Sequence, residues 1–153
     1  MLAKDLVSIP ATWMRGGTGK GLFFLDEDLP ADRAAREAAI LAALGSPDPY
    51  SRQLDGVGGA TSSTSKAVII SPSARADCDV DYLFAHVGVD TGVIDYSGNC
   101  GNLSAAVGLF ALEQGLVPQA QKGAVRVWQA NLSQRFIARV PLMMQRSVRR
   151  RPS

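Results

Sequence analysis

Residues 103–114, Leu-Ser-Ala-Ala-Val-Gly-Leu-Phe-Ala-Leu-Glu-Gln, read as a helix whose first ten residues are almost all apolar or small. Apolar side chains lie on every side of it, and a helix of that kind has no face to turn toward water. It must run through the middle of a domain, with other elements packed around it. Gly115 ends it. The neighbouring segments are short β-branched or aromatic runs that read as strands. Ser8–Arg15, Leu22–Leu25, Ala67–Ile70, Val80–Val89 and Thr91–Tyr96 precede the helix, the last two joined by a short turn. Val125–Ala130 and Arg135–Val140 follow it as a final hairpin. A second helix is expected over Asp28–Leu44. Asp28 or Asp32 caps its start, Pro30 sits in its first turn, Ala34, Ala38, Leu41 and Ala42 recur at helical spacing, and Gly45 stops it. This order predicts an α+β fold, a mostly antiparallel curled sheet around a central buried helix. No internal repeat and no β-α-β crossover rhythm is legible, and Trp13 and Trp128 are expected in the core.

A chain of 153 residues with 46% apolar side chains suits one domain with a real core. No run approaches the roughly 18 apolar residues of a membrane span, and the N-terminus does not read as a signal peptide. Two cysteines, Cys78 and Cys100, and one histidine, His86, are too few for a disulfide framework or a metal cluster. The expectation is a reducing, cytoplasmic compartment and no metal. The net charge of +2 is misleading, because Arg146, Arg149, Arg150 and Arg151 crowd the last eight residues. Without them carboxylates outnumber cations, so neither nucleic acid nor a membrane is an expected partner, and the tail reads as a solvated end.

Three polar, glycine-rich loops separate the apolar elements. The first, Met14-Arg-Gly-Gly-Thr-Gly-Lys-Gly21, resembles a nucleotide P-loop only in part. Met14 stands where that motif needs glycine, and Gly21 where it needs Ser or Thr. What remains is a wide glycine turn carrying Arg15 and Lys20 beside bare amides, which suits a carboxylate. A plain hairpin turn with two solvated cations explains the same residues. The second loop is Asp55-Gly-Val-Gly-Gly-Ala-Thr-Ser-Ser-Thr-Ser-Lys66. The hydroxyls of Ser62, Ser63, Thr64 and Ser65 are donors. Lys66, at the edge of an apolar strand, is placed where burial disfavours an ammonium and suits a base. A flexible serine linker before a solvated lysine is the competing reading. The third, Gly98-Asn-Cys-Gly-Asn102, immediately precedes the apolar helix. A helix start offers free amides and partial positive charge, which attracts a carboxylate and favours a thiolate at Cys100. Asn99 or Asn102 can cap it, and a buried structural cysteine beside a cap is the alternative. His86, alone in its strand, reads as structural. Asn102-Leu-Ser and Asn131-Leu-Ser match the glycosylation pattern, which means little without secretion.

In this order, Met14-Arg-Gly-Gly-Thr, the Asp55–Lys66 loop and Gly98-Asn-Cys-Gly-Asn102 resemble the PrpF family. Gly45-Ser-Pro-Asp-Pro-Tyr50, Val80-Asp-Tyr-Leu-Phe84 and Val127-Trp-Gln-Ala-Asn131 extend the likeness over about residues 8–141. The resemblance implies a diaminopimelate epimerase-like fold, in which two alike domains each wrap a sheet around a helix and bind substrate in the cleft between them. It implies a cofactor-independent isomerase of a small unsaturated di- or tricarboxylate, 2-methylaconitate cis-trans isomerisation in propionate breakdown being the named activity. It makes Lys66 the candidate base and Cys100 the active-site cysteine. Arg15, Gly16, Gly17, Thr18, Lys20, Ser62, Ser63, Thr64, Ser65, Asn99, Gly101 and Asn102 would bind the substrate.

Two departures stand out. The family pattern has serine where Gly19 stands, so one hydroxyl is missing. The likeness also fades after Pro141. Residues 1–141 read as the first of the two domains, 142–153 as a basic tail foreign to the family, and the second domain as missing. A lone half is expected to be weakly active, because half a cleft neither encloses a substrate nor excludes water. Its uncovered apolar face would promote self-association into a homo-oligomer. An oxalomesaconate-type tautomerase or a methylitaconate isomerase would use the same loops. A non-catalytic module docking on an aconitase-like dehydratase, and an inactive fragment, are the readings from other classes.

Overall fold

The structure is a computed structural model that describes residues 6–118 and 123–141. The arginine tail lies outside them. Seven strands form one sheet: β1 (Thr12–Gly16), β2 (Gly19–Leu25), β3 (Lys66–Pro72), β4 (Val80–Val87), β5 (Ile94–Asp95), β6 (Ala124–Gln129) and β7 (Gln134–Arg139). Two α-helices accompany it, α1 (Arg33–Leu44) and α2 (Gly101–Glu113). The order across the sheet is β1-β2-β3-β4-β6-β7, with β5 paired to β4.

The apolar helix lies where its composition demands. Leu103, Ala106, Val107, Phe110 and Ala111 of α2 are buried with Met14, Phe23, Val68, Ile70, Val80, Tyr82, Phe84, Val125 and Val127 from five strands. Each large side chain buried this way is worth about 1.5–3 kcal/mol. The Phe23 and Phe110 rings meet at 5.4 Å between centroids. Because α2 touches β1 and β2 near one edge of the sheet and β6 and β7 at the other, the sheet has to curl around it. Strand alternation then assigns the opposite face. Leu22, Phe24, Ala67, Ile69, Ala85 and Val87 pack there with Ile40 and Leu44 of α1. The sheet is therefore covered by one helix on each side.

The α+β class and the central helix agree with the sequence expectation, but the sheet is mixed. β2 pairs parallel with β3, and β4 parallel with β6. Each parallel pair is bridged by a helix, α1 or α2, so two β-α-β crossovers are present. The glycine and serine loops around the helices obscure that rhythm. The first turn is also tighter than expected. β1 and β2 run into the glycines, Gly16 pairs with Gly19, and only Gly17 and Thr18 lie between. α1 begins after a 3-10 turn at Asp26–Asp28, and Asp32 caps it by accepting from the Ala35 amide at 2.9 Å. Gly45 ends it in the left-handed conformation, φ 81°. The β4–β5 hairpin is shorter than its apolar run, since Gly88 and Val89 leave the strand. Trp13 is 41% exposed and Trp128 is half-buried under the Arg75 guanidinium, 3.8 Å from the ring centre, so neither belongs to the core. Both occupy strand positions that alternate outward.

Asn131 ties this frame together. Its Nδ2 donates to the carbonyls of Phe84 and Tyr96 at 2.8 and 2.7 Å, and its Oδ1 accepts from the Phe84 amide at 2.8 Å. An amide so engaged is structural, not a glycan acceptor.

At Gly108 two local effects oppose each other. Alanine favours a helix interior over glycine by about 1 kcal/mol, but a Cβ here would lie 2.9 Å from Ala138 Cβ and Val140 Cγ2. Overpacking of that kind costs about 1–3 kcal/mol. Gly108→Ala should therefore lower stability in urea unfolding, against its helix propensity. An increase would mean that β7 does not close on α2.

Candidate active site

Lys66 and Cys100 lie thirty-four positions apart and meet, with Lys66 Nζ donating to Cys100 Sγ at 3.3 Å. Two local rules bring them there. Lys66 is the first residue of β3 and shares its face with Val68 and Ile70, so alternation turns it toward α2. Cys100 is the N-cap of α2 and, with Leu103, lies on the helix side that faces the core. Both are nearly buried, Lys66 at 9% and Cys100 at 8% exposure. They form the floor of a cavity of about 340 Å³ walled by Ser62, Phe84, His86, Asp95, Gly98 and Asn99.

The helix start is open. Cys100 makes no side-chain capping bond, and neither Asn99 nor Asn102 caps, contrary to expectation. Asn99 Oδ1 instead accepts from the Cys100 amide at 2.7 Å, which bends the loop into the helix. Asn102 turns away and donates to Thr18 Oγ1 at 3.1 Å. The first-turn amides of a helix have no carbonyl of their own. A Cβ at Gly98 or Gly101 would meet nothing within 4 Å. Among the described residues none lies against the Cβ side of those two glycines, which leaves that approach to the amides clear for an outside group.

The other sites expected from sequence divide sharply. Ser62 and Asn99 line the cavity beside Lys66 and Cys100. Arg15 and Lys20 do not. They face each other across the hairpin at positions that alternate away from Met14 and Gly21, and both are exposed. Gly16 and Gly17 serve packing, since a Cβ at Gly16 would lie 2.2 Å from the Asn102 carbonyl oxygen and one at Gly17 2.3 Å from Asn102 Oδ1. Together with Thr18 they seat the hairpin on the first turn of α2. Gly19 borders Lys66: a Cβ there would stand 3.4 Å from Lys66 Nζ.

In the second loop, the Ser63 carbonyl accepts from the Lys20 amide at 2.9 Å, and Thr64 Oγ1 pairs with Thr61 Oγ1 at 2.8 Å. Ser65 is fully buried and its hydroxyl donates to the Val87 carbonyl at 2.7 Å. These three residues shape the loop, and the hydroxyls of Thr64 and Ser65 are used within the fold.

Sequence reasoning missed what holds that loop. Gln53 is 1% exposed and donates through Nε2 to Ser46 Oγ and Ser65 Oγ, both at 2.8 Å, while Oε1 accepts from the Ala60 amide at 2.8 Å. Asp48 in turn accepts from the amides of Tyr50, Arg52 and Gln53 at 2.8–3.0 Å. Those bonds, the Tyr50 amide foremost, hold the Asp48 carboxyl below the usual range, so this brace loosens only when the pH falls through that lowered value. Only the turn signal Ser46-Pro-Asp-Pro49 hinted at it. His86 and Asp95, discounted or passed over in the sequence, also reach the cavity. Cys78 does not. It is buried elsewhere, and desolvation followed by Asp77 pushes its thiol up. Tyr82, whose phenol burial pushes up so that it stays a donor, points its hydroxyl at the Cys100 carbonyl at 3.5 Å. Among the described residues no three His, Cys, Asp or Glu side chains stand close enough to hold a metal ion, and no helix is long and apolar enough to cross a membrane.

Gln53→Leu keeps the volume but strands the Ala60 amide and removes the donor that Ser46 and Ser65 share. It should cost about 2–3 kcal/mol in urea unfolding and speed amide hydrogen exchange at Ser65 and Lys66. Unchanged exchange there would separate this brace from the site.

Comparisons with known proteins identify the relatives of this chain. The sequence model of a family described as PrpF protein matches residues 6–149. The chain is 52% identical over 145 residues to a 2-methyl-aconitate isomerase of Shewanella oneidensis, an alignment covering 89% of this chain and 36% of that protein. It is 54% identical over 136 residues to a 4-oxalomesaconate tautomerase of Pseudomonas putida, covering 87% of this chain and 37% of the other. The crystal structure of a methylitaconate-delta-isomerase superposes with a TM-score of 0.81 at 44% identity, over 88% of this chain and 35% of that one. The chain thus spans little more than a third of the length of the relatives it matches. On the match along nearly its whole length, the chain belongs to the PrpF family.

Proposed function

We propose that the cavity belongs to a cofactor-independent isomerase that moves a proton on a small unsaturated di- or tricarboxylate. The observation that carries this is the contact between Lys66 Nζ and Cys100 Sγ at the open start of α2. Isomerising a conjugated carboxylate begins with removal of a weakly acidic proton next to the alkene. Lys66, acting as the base through its Nζ lone pair, takes that proton, and the electrons left on carbon spread through the alkene onto a carboxylate as a dienolate. Oriented amides aimed at a developing charge lower the barrier most when they are already in place, and the first turn of α2 is such a set. Cys100 and that turn hold the carboxylate. In the delocalised intermediate the former double bond rotates or shifts, and the lysine ammonium returns the proton to carbon.

The favoured substrate is 2-methylaconitate, with cis-trans isomerisation in propionate breakdown as its setting. A related allylic shift on an oxalomesaconate-type or methylitaconate-type acid is the second reading, favoured by the 54% identity to the Pseudomonas putida tautomerase.

Exchange of substrate protons for deuterium tests the first step without requiring complete isomerisation. In D2O, proton NMR should show the chain exchanging allylic protons of 2-methylaconitate faster than those of oxalomesaconate or methylitaconate. Lys66→Ala should slow that exchange about 100-fold or more, the usual worth of a positioned base. Exchange at the wild-type rate in Lys66→Ala would remove Lys66 as the base. A faster rate with one of the other acids would reassign the substrate.

A further inference from the structure

The inner face of β4 is an unbroken apolar row until it reaches the cavity. Val80, Tyr82 and Phe84 are buried against α2. The next residue on that face, two further along, is His86. It is half-buried and lines the cavity with Phe84. In the sheet register His86 lies opposite Lys66 on β3 and opposite Asp95 on β5. Directly opposed residues share a face with their Cβ atoms about 5 Å apart. Three adjacent strands therefore set an amine, an imidazole and a carboxylate in one row along the cavity wall. The charged or titratable groups around His86 are Lys66 from β3, Asp95 from β5 and Cys100 from the start of α2. The Ser97 amide fixes the Asp95 carboxylate at 2.8 Å. Hydrogen bonding from the Ser97 side chain, then its amide, and to a lesser degree the nearby His86, hold that carboxyl below the usual range.

This row poses a problem for a diacid. One substrate carboxylate meets the helix start and Cys100. The other must lie further along the cavity, toward Asp95, whose own negative charge repels it. A donor between Lys66 and Asp95 resolves the conflict, and His86 occupies that place. In its protonated form the ring donates from two nitrogens on separate edges, so it can serve a carboxylate of the protein and one of the ligand together. We infer that His86 is a substrate-binding residue of this pocket, donating to the carboxylate of the unsaturated acid that lies farther from the start of α2. This rests on the proposed isomerase reading and adds to it what distinguishes a diacid from a monoacid.

The test exploits a chance of composition, since His86 is the only histidine in the chain. Its ring carbon-bound protons give NMR signals that need no separation from others. The full 153-residue chain is titrated with mesaconate, an unsaturated diacid, and separately with crotonate, its monoacid counterpart. The amides of Gly101 and Asn102 report the helix start. With mesaconate, ring signals and helix-start amides should move together with one saturation midpoint. With crotonate, the amides should move and the ring should move far less. His86→Ala should weaken mesaconate binding about tenfold, the worth of one hydrogen bond to a charged group, with crotonate binding nearly unchanged and partial rescue in His86→Gln. Amides that saturate with mesaconate while the ring stays still would overturn the role of His86 and leave the pocket reading standing. An equal ring shift with crotonate would also overturn it. If neither amides nor ring respond, both readings fall.

Discussion

Burial of α2 is the constraint from which the other features follow. Its apolar side chains need partners on several sides, so β1 and β2 must close on it from one edge of the sheet and β6 and β7 from the other. Close approach fixes the details. Gly108 admits the end of β7, and Gly16 admits the backbone of Asn102. What cannot be buried is the helix start, because its first amides have no carbonyl partners. The helix is therefore buried along its sheet-facing side and open at its tip. Chemistry is possible at that tip because the sheet delivers side chains to it by simple alternation.

Lys66 and His86 show the same device. Each sits at the end of an apolar row on the α2 face of its strand, Val68 and Ile70 in one case and Phe84 and Tyr82 in the other. Where the row passes beyond the helix, the residue becomes polar and the core becomes a pocket. The loops around it are rigidly braced. Gln53 and Asp48 fix the segment that delivers Ser65 and Lys66, and Asn131 pins β4 where β6 departs. Most of the hydroxyls near the site are committed to this bracing.

How much of this could be read from the sequence depended on the range of the signal. The apolar helix, the strands and the loop motifs are local patterns, and they identified α2, Lys66 and Cys100. Arg15, Lys20 and Ser65 were credited to the site because loop composition says nothing of which way a side chain points. Alternation sends the two cations outward, and burial commits the serine. His86 was discounted because a lone strand histidine gives no hint of its neighbours. Its importance comes from register with Lys66, twenty residues away in sequence, and with Asp95 beyond the next turn. Parallel pairing was missed for a related reason: the crossovers through α1 and α2 are long and glycine-rich, and no local pattern announces them.

The proximity of Lys66 to Cys100 can be measured directly. Succinimidyl iodoacetate joins an amine to a thiol across a very short span, and digestion followed by mass spectrometry locates the bridge. A Lys66–Cys100 bridge should dominate, even though Lys20 is far more exposed. Bridging of Cys100 chiefly to Lys20 or Lys122, or alkylation of Cys100 with no bridge to Lys66, would contradict a pocket in which base and thiol meet at the start of the central helix.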